Sequence, residues 1–189
     1  MKLNKSTSLL NKSLFFSQIC IGSSVILKDP SHFHAIKGHR KSFFSLIDPA
    51  VLKYSLKTTF LFLESVLKKK YKLIFVTKNI DPLLFIKFSY VCLKQNHFVL
   101  KDSEISGGFL DNANLDNVIF ITLFLDQKKV NFLQKETFSK NIPLISFGDL
   151  SSNKNSNALY VGGNFDSFLS QSLILNLLIN CLLQKNGNS

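Results

Sequence analysis

A chain of 189 residues with 46% hydrophobic and 19% charged residues can bury a core, which excludes a disordered chain and suits one domain. The net charge of +11 is confined to one half: residues 1–94 carry 16 basic and four acidic residues, whereas residues 95–189 carry seven and eight. A basic half predicts a face that attracts a polyanion, and we favour nucleic acid over an anionic membrane surface or no anionic partner.

The first predicted elements in chain order are a helix and a basic loop. Residues 4–18 indicate an amphipathic helix, and residues 1–20 form either this N-terminal helix or an extension. The absence of acids before Asp29 also resembles a mitochondrial import sequence, although Arg is missing there. We favour the helix. Residues 22–42 are predicted as a loop rich in Lys, His and Gly, and residues 42–47 as a short strand.

Two Asp-Pro pairs then predict helix starts, because Asp caps a helix and proline suits its first position. These helices are expected to end near Lys70 and Gln95. The first has one apolar face, formed by Val51, Leu52, Leu56, Phe60, Leu63, Val66 and Leu67. Its last turn carries Lys68, Lys69 and Lys70, which suits the helix dipole. The cluster at 68–72 could equally be a solvated helix end or a second basic contact.

Strands and helices alternate along the rest of the chain. Strands are predicted at 72–77, 97–100, 117–125, 142–147 and 158–161, and helices at 130–140 and 165–184. This alternation predicts an α/β fold with a parallel sheet covered by helices on both faces. Residues 1–189 are expected to form a single domain, with residues 185–189 as a tail.

The apolar stretch at 165–183 is long enough to raise the question of a membrane span. Polar residues recur through it at helical spacing, which predicts a polar stripe on a mostly buried helix instead. The residues of this stripe are Asp166, Ser170, Asn176, Asn180 and Gln184. We therefore expect no membrane partner.

The motifs of common enzymes are missing. The sequence contains no GxGxxG, no GxxxxGK[ST] and no GxSxG, and its Gly pairs at 107–108 and 162–163 are typical of tight turns. Asp48, Asp81 and Asp149 follow strands, where catalytic acids often sit, but the first two have a capping role. The loop histidines have only Asp29 beside them, which does not favour a metal. We predict neither catalysis nor a cofactor.

The segment richest in functional signals is 28–41, KDPSHFHAIKGHRK. It interleaves basic groups with flat rings, which suits a folded RNA surface. The residues predicted to face RNA are Lys28, His32, His34, Lys37, His39, Arg40 and Lys41. The basic residues of the whole chain are 22 Lys and one Arg, so mainly point-charge contacts with phosphates are expected.

The cysteines and the overall composition bear on the cellular compartment of the protein. Cys20, Cys92 and Cys181 lie far apart in apolar stretches, which predicts buried free thiols and a reducing compartment. The abundance of Lys, Asn, Phe and Ile is typical of A/T-rich coding sequences, as organelle genomes often have.

The order of segments resembles the ribosomal protein S-two family over about residues 15–183. Family motifs are matched by Leu46-Ile47-Asp48 at the end of the short strand and by LIFVTK, EISGGFLDN, IPLISFGDLS and VGGNFDS. The positions retained include Gly22, Ile47, Asp48, Gly107, Gly108, Leu110, Asn112, Ile142, Pro143, Asp149, Gly163, Asn164 and Asp166. The resemblance adds Gly107, Gly108 and Asn112 to the predicted RNA-binding residues, as contacts with RNA or a neighbouring protein.

The resemblance implies a flavodoxin-like three-layer α/β/α fold and a non-catalytic place on the small ribosomal subunit, bound to its rRNA and to neighbouring ribosomal proteins. Bacterial relatives insert a helical hairpin after the GGxLTN motif. Here Asn112 and Asn117 are five positions apart, so the hairpin is absent. Glu104-Ile105 replaces the family's Arg-Trp. Such drift indicates a mitochondrial member, in the matrix, more than a chloroplast one. The alternatives are a flavodoxin-like nucleotide- or flavin-binding domain and an adaptor that binds only proteins.

Overall fold

In the computed structural model, the described residues are 13–14, 17–22, 36–40, 44–78, 80–110, 117–149 and 158–184. From residue 44 onward the helices and strands follow in the predicted order. In chain order the elements are β1 (Ile21–Gly22), β2 (Ile36–Arg40), β3 (Phe44–Ile47), α1 (Pro49–Lys68), β4 (Lys72–Thr77), α2 (Pro82–Lys94), β5 (Phe98–Lys101), a 3₁₀ turn (Asp102–Glu104), β6 (Val118–Leu123), α3 (Gln127–Ser139), β7 (Leu144–Gly148), β8 (Ala158–Gly162) and α4 (Phe168–Gln184).

The larger sheet has five parallel strands in the order β5-β4-β6-β7-β8. The direction of strand addition reverses between β4 and β6, because β5 pairs on one side of β4 and every later strand lies on the other. The prediction of an α/β fold with a parallel sheet is therefore confirmed. The predicted strand at 42–47 is present, but it does not join this sheet.

A second sheet is antiparallel and has the order β1-β3-β2. It includes Ile36–Arg40, so the prediction of a continuous loop over 22–42 is wrong at these five positions. The sequence IKGHR has no apolar alternation, and it becomes a strand through backbone pairing with Phe44–Ile47. Ile47 N–H also donates to the carbonyl of Cys20, which ties the small sheet to the residues before it.

The predicted helix caps are confirmed. Asp48 Oδ1 accepts from the N–H of Ala50 at 2.8 Å, and Asp81 Oδ1 accepts from the N–H groups of Leu83 and Leu84. Each bond satisfies a backbone donor that the first turn leaves without a helical partner. A residue with positive φ follows each of the first three helices and turns the chain toward the next strand: Lys70, Asn96 and Asn141.

The two faces of the parallel sheet are covered unequally. One face packs against three helices, α1, α2 and α4, in a large core that includes Phe75 and Phe88 in an edge-to-face contact with centroids 4.9 Å apart. The other face packs against α3 and the 105–110 segment, through Ile105, Leu110 and Leu133 among others. Residues 17–20 attach to the start of α4, because Ile19 accepts a backbone bond from Asn164.

The last helix, α4, is 17 residues long and buries Ile174, Leu175 and Leu178 in the larger core. Asn176 and Asn180 are exposed, as the polar stripe predicted, whereas Ser170 is buried and its hydroxyl donates to the carbonyl of Ser167. Among the described residues, none of the helices has the length and apolar character needed to cross a membrane.

Candidate nucleic-acid interface

The parallel topology gives the larger sheet two chemically different ends. All five strands begin at one edge, and α1, α2 and α3 end there. We call this the amino-end edge. The strands finish at the opposite, carboxyl-end edge, where the loops leading into the following helices lie.

Six lysines line α1 and the turn after it, and we call them the α1 basic surface: Lys53, Lys57, Lys68, Lys69, Lys70 and Lys72. All are exposed except Lys53, which is half-buried. The first three are four and eleven residues apart, which places them within about 60° of one another on the helix and over a length of about 22 Å. The exposed acid on this helix is Glu64. Lys94 in the last turn of α2 and Lys140 directly after α3 add positive charge at the amino-end edge.

An aromatic side chain accompanies these lysines. Tyr54 is 73% exposed and lies next to Lys53 and three residues before Lys57. Basic groups beside a flat exposed ring can hold a phosphate and stack on a base at the same time. The α1 basic surface therefore has the chemistry of an RNA contact as well as its charge.

The carboxyl-end edge carries the opposite charge. Four aspartates, which we call the acidic rim, follow successive strands: Asp102, Asp126, Asp149 and Asp166. Lys78 lies among them, with its Nζ 2.7 Å from both carboxylate oxygens of Asp126. The hydrogen bond to Asp126 raises the pKa of Lys78, and the charges of Asp102 and Asp166 add to this effect. The lysine is thus already neutralised by protein carboxylates.

Two clefts open at this edge. One, of about 390 Å³, lies between the ends of β6, β7 and β8 and includes Asp126, Asp149 and Asp166 in its walls. The other, of about 580 Å³, lies between β4 and β5 and includes Lys78, Lys101 and Asp102. An anionic ligand entering the first cleft would meet three carboxylates and one lysine that is already paired. The first cleft is therefore electrostatically poor for phosphate.

The structure describes only part of the predicted RNA-binding segment. Lys37 is exposed in β2, at the position where the pairing register shifts between Ile36 and Gly38. The backbones of His39 and Arg40 pair opposite Ser45 and Phe44. Lys28, His32, His34 and Lys41 lie outside the described residues, so their predicted role stays a prediction. In the chain, the small sheet comes directly before the start of α1, whereas the lysines at 68–72 lie at the end of α1 and directly after it.

The predicted Gly pair at 107–108 forms an exposed turn, as expected for such a pair. Gly108 has φ 76, and its N–H donates to Glu136 Oε1 at 2.9 Å. A Cβ at Gly107 would meet open space. The turn lies beside α3, away from the α1 basic surface, and its contact with α3 is to the Glu136 carboxylate. Its role in binding RNA stays a prediction, and Asn112 lies outside the described residues.

The cysteines fit the predicted thiols. Cys20 and Cys92 are buried and free, and Cys181 is half-buried and free. Burial raises the pKa of Cys92, and it raises the pKa of Cys20 and Cys181 to about 11, with smaller effects from Asp48 and Glu64 respectively. Neutral thiols are poor nucleophiles and poor metal ligands. Within the described ranges, no three His, Cys, Asp or Glu side chains come together as a metal site.

Sequence reasoning missed Lys53, Tyr54 and Lys57. The signal was present, because the apolar face predicted for the first helix leaves positions 53 and 57 together on its flank. The density of charge predicted RNA contacts in the 28–41 segment instead.

In comparisons with known proteins, no family model matches this chain and no curated protein matches it significantly in sequence.

Proposed function

We propose that this protein is a structural, non-enzymatic subunit of the small ribosomal subunit of a mitochondrial ribosome, bound to rRNA and to neighbouring ribosomal proteins. The observation that carries the proposal is the separation of charge: the lysines of the α1 basic surface line one helix and the amino-end edge, and the aspartates of the acidic rim occupy the carboxyl-end edge. The resemblance to the ribosomal protein S-two family supplies the identity of the particle.

The physical basis is the attraction between exposed lysines and RNA phosphates. Each phosphate that a lysine neutralises releases condensed counterions, so binding is strong at low salt and weakens as salt rises. Lysine ammonium groups are point charges without the planar fork of arginine, so they favour backbone contacts over the reading of bases. The protein is therefore expected to recognise the shape of a folded RNA more than its sequence.

The topology supports a flavodoxin-like fold for this proposal. Numbered from β4, the five strands follow the order 2-1-3-4-5, which is the order of flavodoxin-like domains. Only six residues separate Leu110 from Asn117, which is too short for the helical hairpin of bacterial relatives. Contacts made by that hairpin would have to be replaced by other surfaces.

The predicted N-terminal contact is tested by replacing Lys37, Arg40 and Lys41 with Ala. These changes remove three positive charges, so we expect weaker entry into small subunits and an unchanged thermal unfolding profile. Tagged wild-type and variant proteins would be compared in small subunits purified from the same cells. Normal entry of the triple variant would show that this segment is not an RNA contact.

One observation favours a second candidate function. The two clefts at the carboxyl-end edge flank the point where the strand order reverses, which is where flavodoxin-like domains bind their ligands. The acidic rim opposes the binding of a phosphate there, so we expect no flavin or nucleotide to bind tightly. Titration of the purified protein with flavin mononucleotide, ATP and NAD, followed by fluorescence or calorimetry, tests this. Micromolar binding of any of them would favour the second candidate.

A further inference from the structure

The outer face of α2 exposes a continuous apolar stripe. Four large side chains on it are open to solvent: Leu83 is 78% exposed, Ile86 63%, Tyr90 67% and Leu93 62%. Their spacings of three, four and three residues place them on one side of the helix over about 15 Å, as in the seam of a coiled coil. The opposite side of α2 packs into the core through Phe88 and Cys92, so the stripe residues are not part of the core.

One flank of this stripe is basic and the other is uncharged. Lys87 and Lys94 are exposed, lie seven residues apart and each follow a stripe residue directly. Lys87 reaches Asn176 of α4 with its Nζ 3.4 Å from Oδ1, so the basic flank lies on the α4 side. The other flank carries Pro82 and Ser89, and α2 contains no acidic residue. A helix laid along the stripe would therefore meet positive charge on one side only.

We propose that this stripe binds an amphipathic helix of a partner protein, with apolar residues in the seam and acidic residues facing Lys87 and Lys94. Burial of the four side chains supplies the driving force, and the lysines select the charge of the partner. This partner is expected among the neighbouring proteins of the small subunit, and in that respect the inference rests on the proposed function.

Two other occupants fit less well. A second copy of this chain would pack its stripe antiparallel about a twofold axis, which brings one lysine flank against the other and adds to the repulsion from a net charge of +11. RNA would find a single aromatic ring in the stripe, Tyr90, among three aliphatic side chains that cannot stack on bases. Charge and shape both favour an acidic helix.

Fluorescence anisotropy with designed peptides tests the inference on the full chain. The probe is a labelled three-heptad peptide with Leu in the seam and Glu on both flanks, and the matched control carries Lys on both flanks. We expect saturable binding of the acidic peptide, about tenfold weaker binding of the basic one, and loss of this difference at high salt. Absence of saturable binding, or equal binding of the two peptides, would overturn the inference.

Variants of the stripe separate its two components. Ile86→Gln with Leu93→Gln is expected to weaken binding of the acidic peptide about 100-fold, because two apolar side chains no longer enter the interface. Lys87→Glu with Lys94→Glu is expected to reverse the preference between the two peptides. All four positions are exposed on a helix, so the thermal unfolding profile should be unchanged, and the unaltered RNA affinity of the Ile86→Gln, Leu93→Gln variant is the control. Loss of RNA affinity instead would assign the stripe to RNA.

A photoreactive amino acid at position 86 identifies the occupant in purified small subunits. A cross-link to a different protein supports the inference, whereas a cross-link to RNA or to a second copy, or none at all, contradicts it. Failure of the protein to enter small subunits at all would overturn the proposed function. The peptide titration would still decide whether the stripe binds an acidic helix.

Discussion

The α1 basic surface and the acidic rim belong to one small fold and differ in almost every respect that matters for binding. The lysines of α1 and its following turn have one acid, Glu64, among them, whereas Lys78 on the rim is paired with the carboxylate of Asp126. The rim has two open clefts, of about 390 and 580 Å³, and the α1 surface is a helix flank. The open lysine surface has the charge that an extended polyanion would require, whereas the carboxylates of the rim would repel an anionic ligand.

The largest expected effect comes from breaking the core on which both regions depend. Phe88 of α2 is completely buried and packs against Phe75 of β4, so Phe88→Ala is expected to lower the free energy of unfolding by about 3–5 kcal/mol. RNA binding should then be lost in parallel with the folded signal during urea titration. This variant provides the reference for loss of RNA binding through unfolding. Wild-type stability of the variant would show that Phe88 does not pack in the core.

The second largest effect is expected from the α1 basic surface. Replacing Lys68, Lys69 and Lys70 with Ala is expected to weaken rRNA binding about 100-fold at physiological salt and to lower the slope of log affinity against log salt by about 2–3. A control variant removes the same charge elsewhere, at Lys101, Lys128 and Lys135. Filter binding over a salt series measures both. Equal losses in the two variants would show that net charge, and not this surface, determines binding.

A smaller effect is expected from the acidic rim. Replacing Asp102, Asp126 and Asp166 with Asn raises the net charge by as much as the lysine variant lowers it. These residues lie at the other edge, and charges beyond a Debye length of about 8 Å are screened, so rRNA affinity should rise less than about threefold. The same filter-binding assay applies. A rise comparable to the loss caused by the lysine changes would mean that RNA contacts the rim.

The smallest effect is expected from the pair within the rim. Lys78 and Asp126 are both substantially exposed, so Asp126→Asn should lower the free energy of unfolding by less than about 1 kcal/mol. The raised pKa of Lys78 means that this contribution is present below the lysine's ordinary pKa and is lost as pH rises through the raised one. Urea denaturation of wild type and variant at neutral and alkaline pH would show the difference vanish at alkaline pH. A difference that grows with pH would contradict the assignment.

Most of the fold could be predicted from the sequence because its signals are local. Asp48 and Asp81 mark two helix starts, and the continuous apolar run of β6 could hardly be anything but a buried strand. The small antiparallel sheet could not be predicted, because Ile36–Arg40 has no strand pattern and depends on pairing with residues from a separate predicted element. Pairing between distant segments leaves little trace in either sequence alone.

The candidate site was only partly predictable for a related reason. The charges in the sequence locate the basic half of the chain, but they do not show which way its side chains point. Lys53 and Lys57 join Lys68 only when α1 is built as one helix, and the acidic rim forms only when parallel strands bring their ends together. Successive aspartates of the rim are 17 to 24 positions apart along the chain, so their convergence depends on topology.

The central claim is that this protein is an RNA-bound subunit of the small ribosomal particle, and sucrose-gradient sedimentation tests it most directly. Mitochondrial lysate containing the tagged protein would be separated at low and at moderate salt, with the rRNA of each subunit followed across the fractions. The account predicts co-migration with the small subunit that persists at moderate salt and is reduced by the Lys68, Lys69 and Lys70 changes. Sedimentation as a free protein, or only with other proteins, would contradict it.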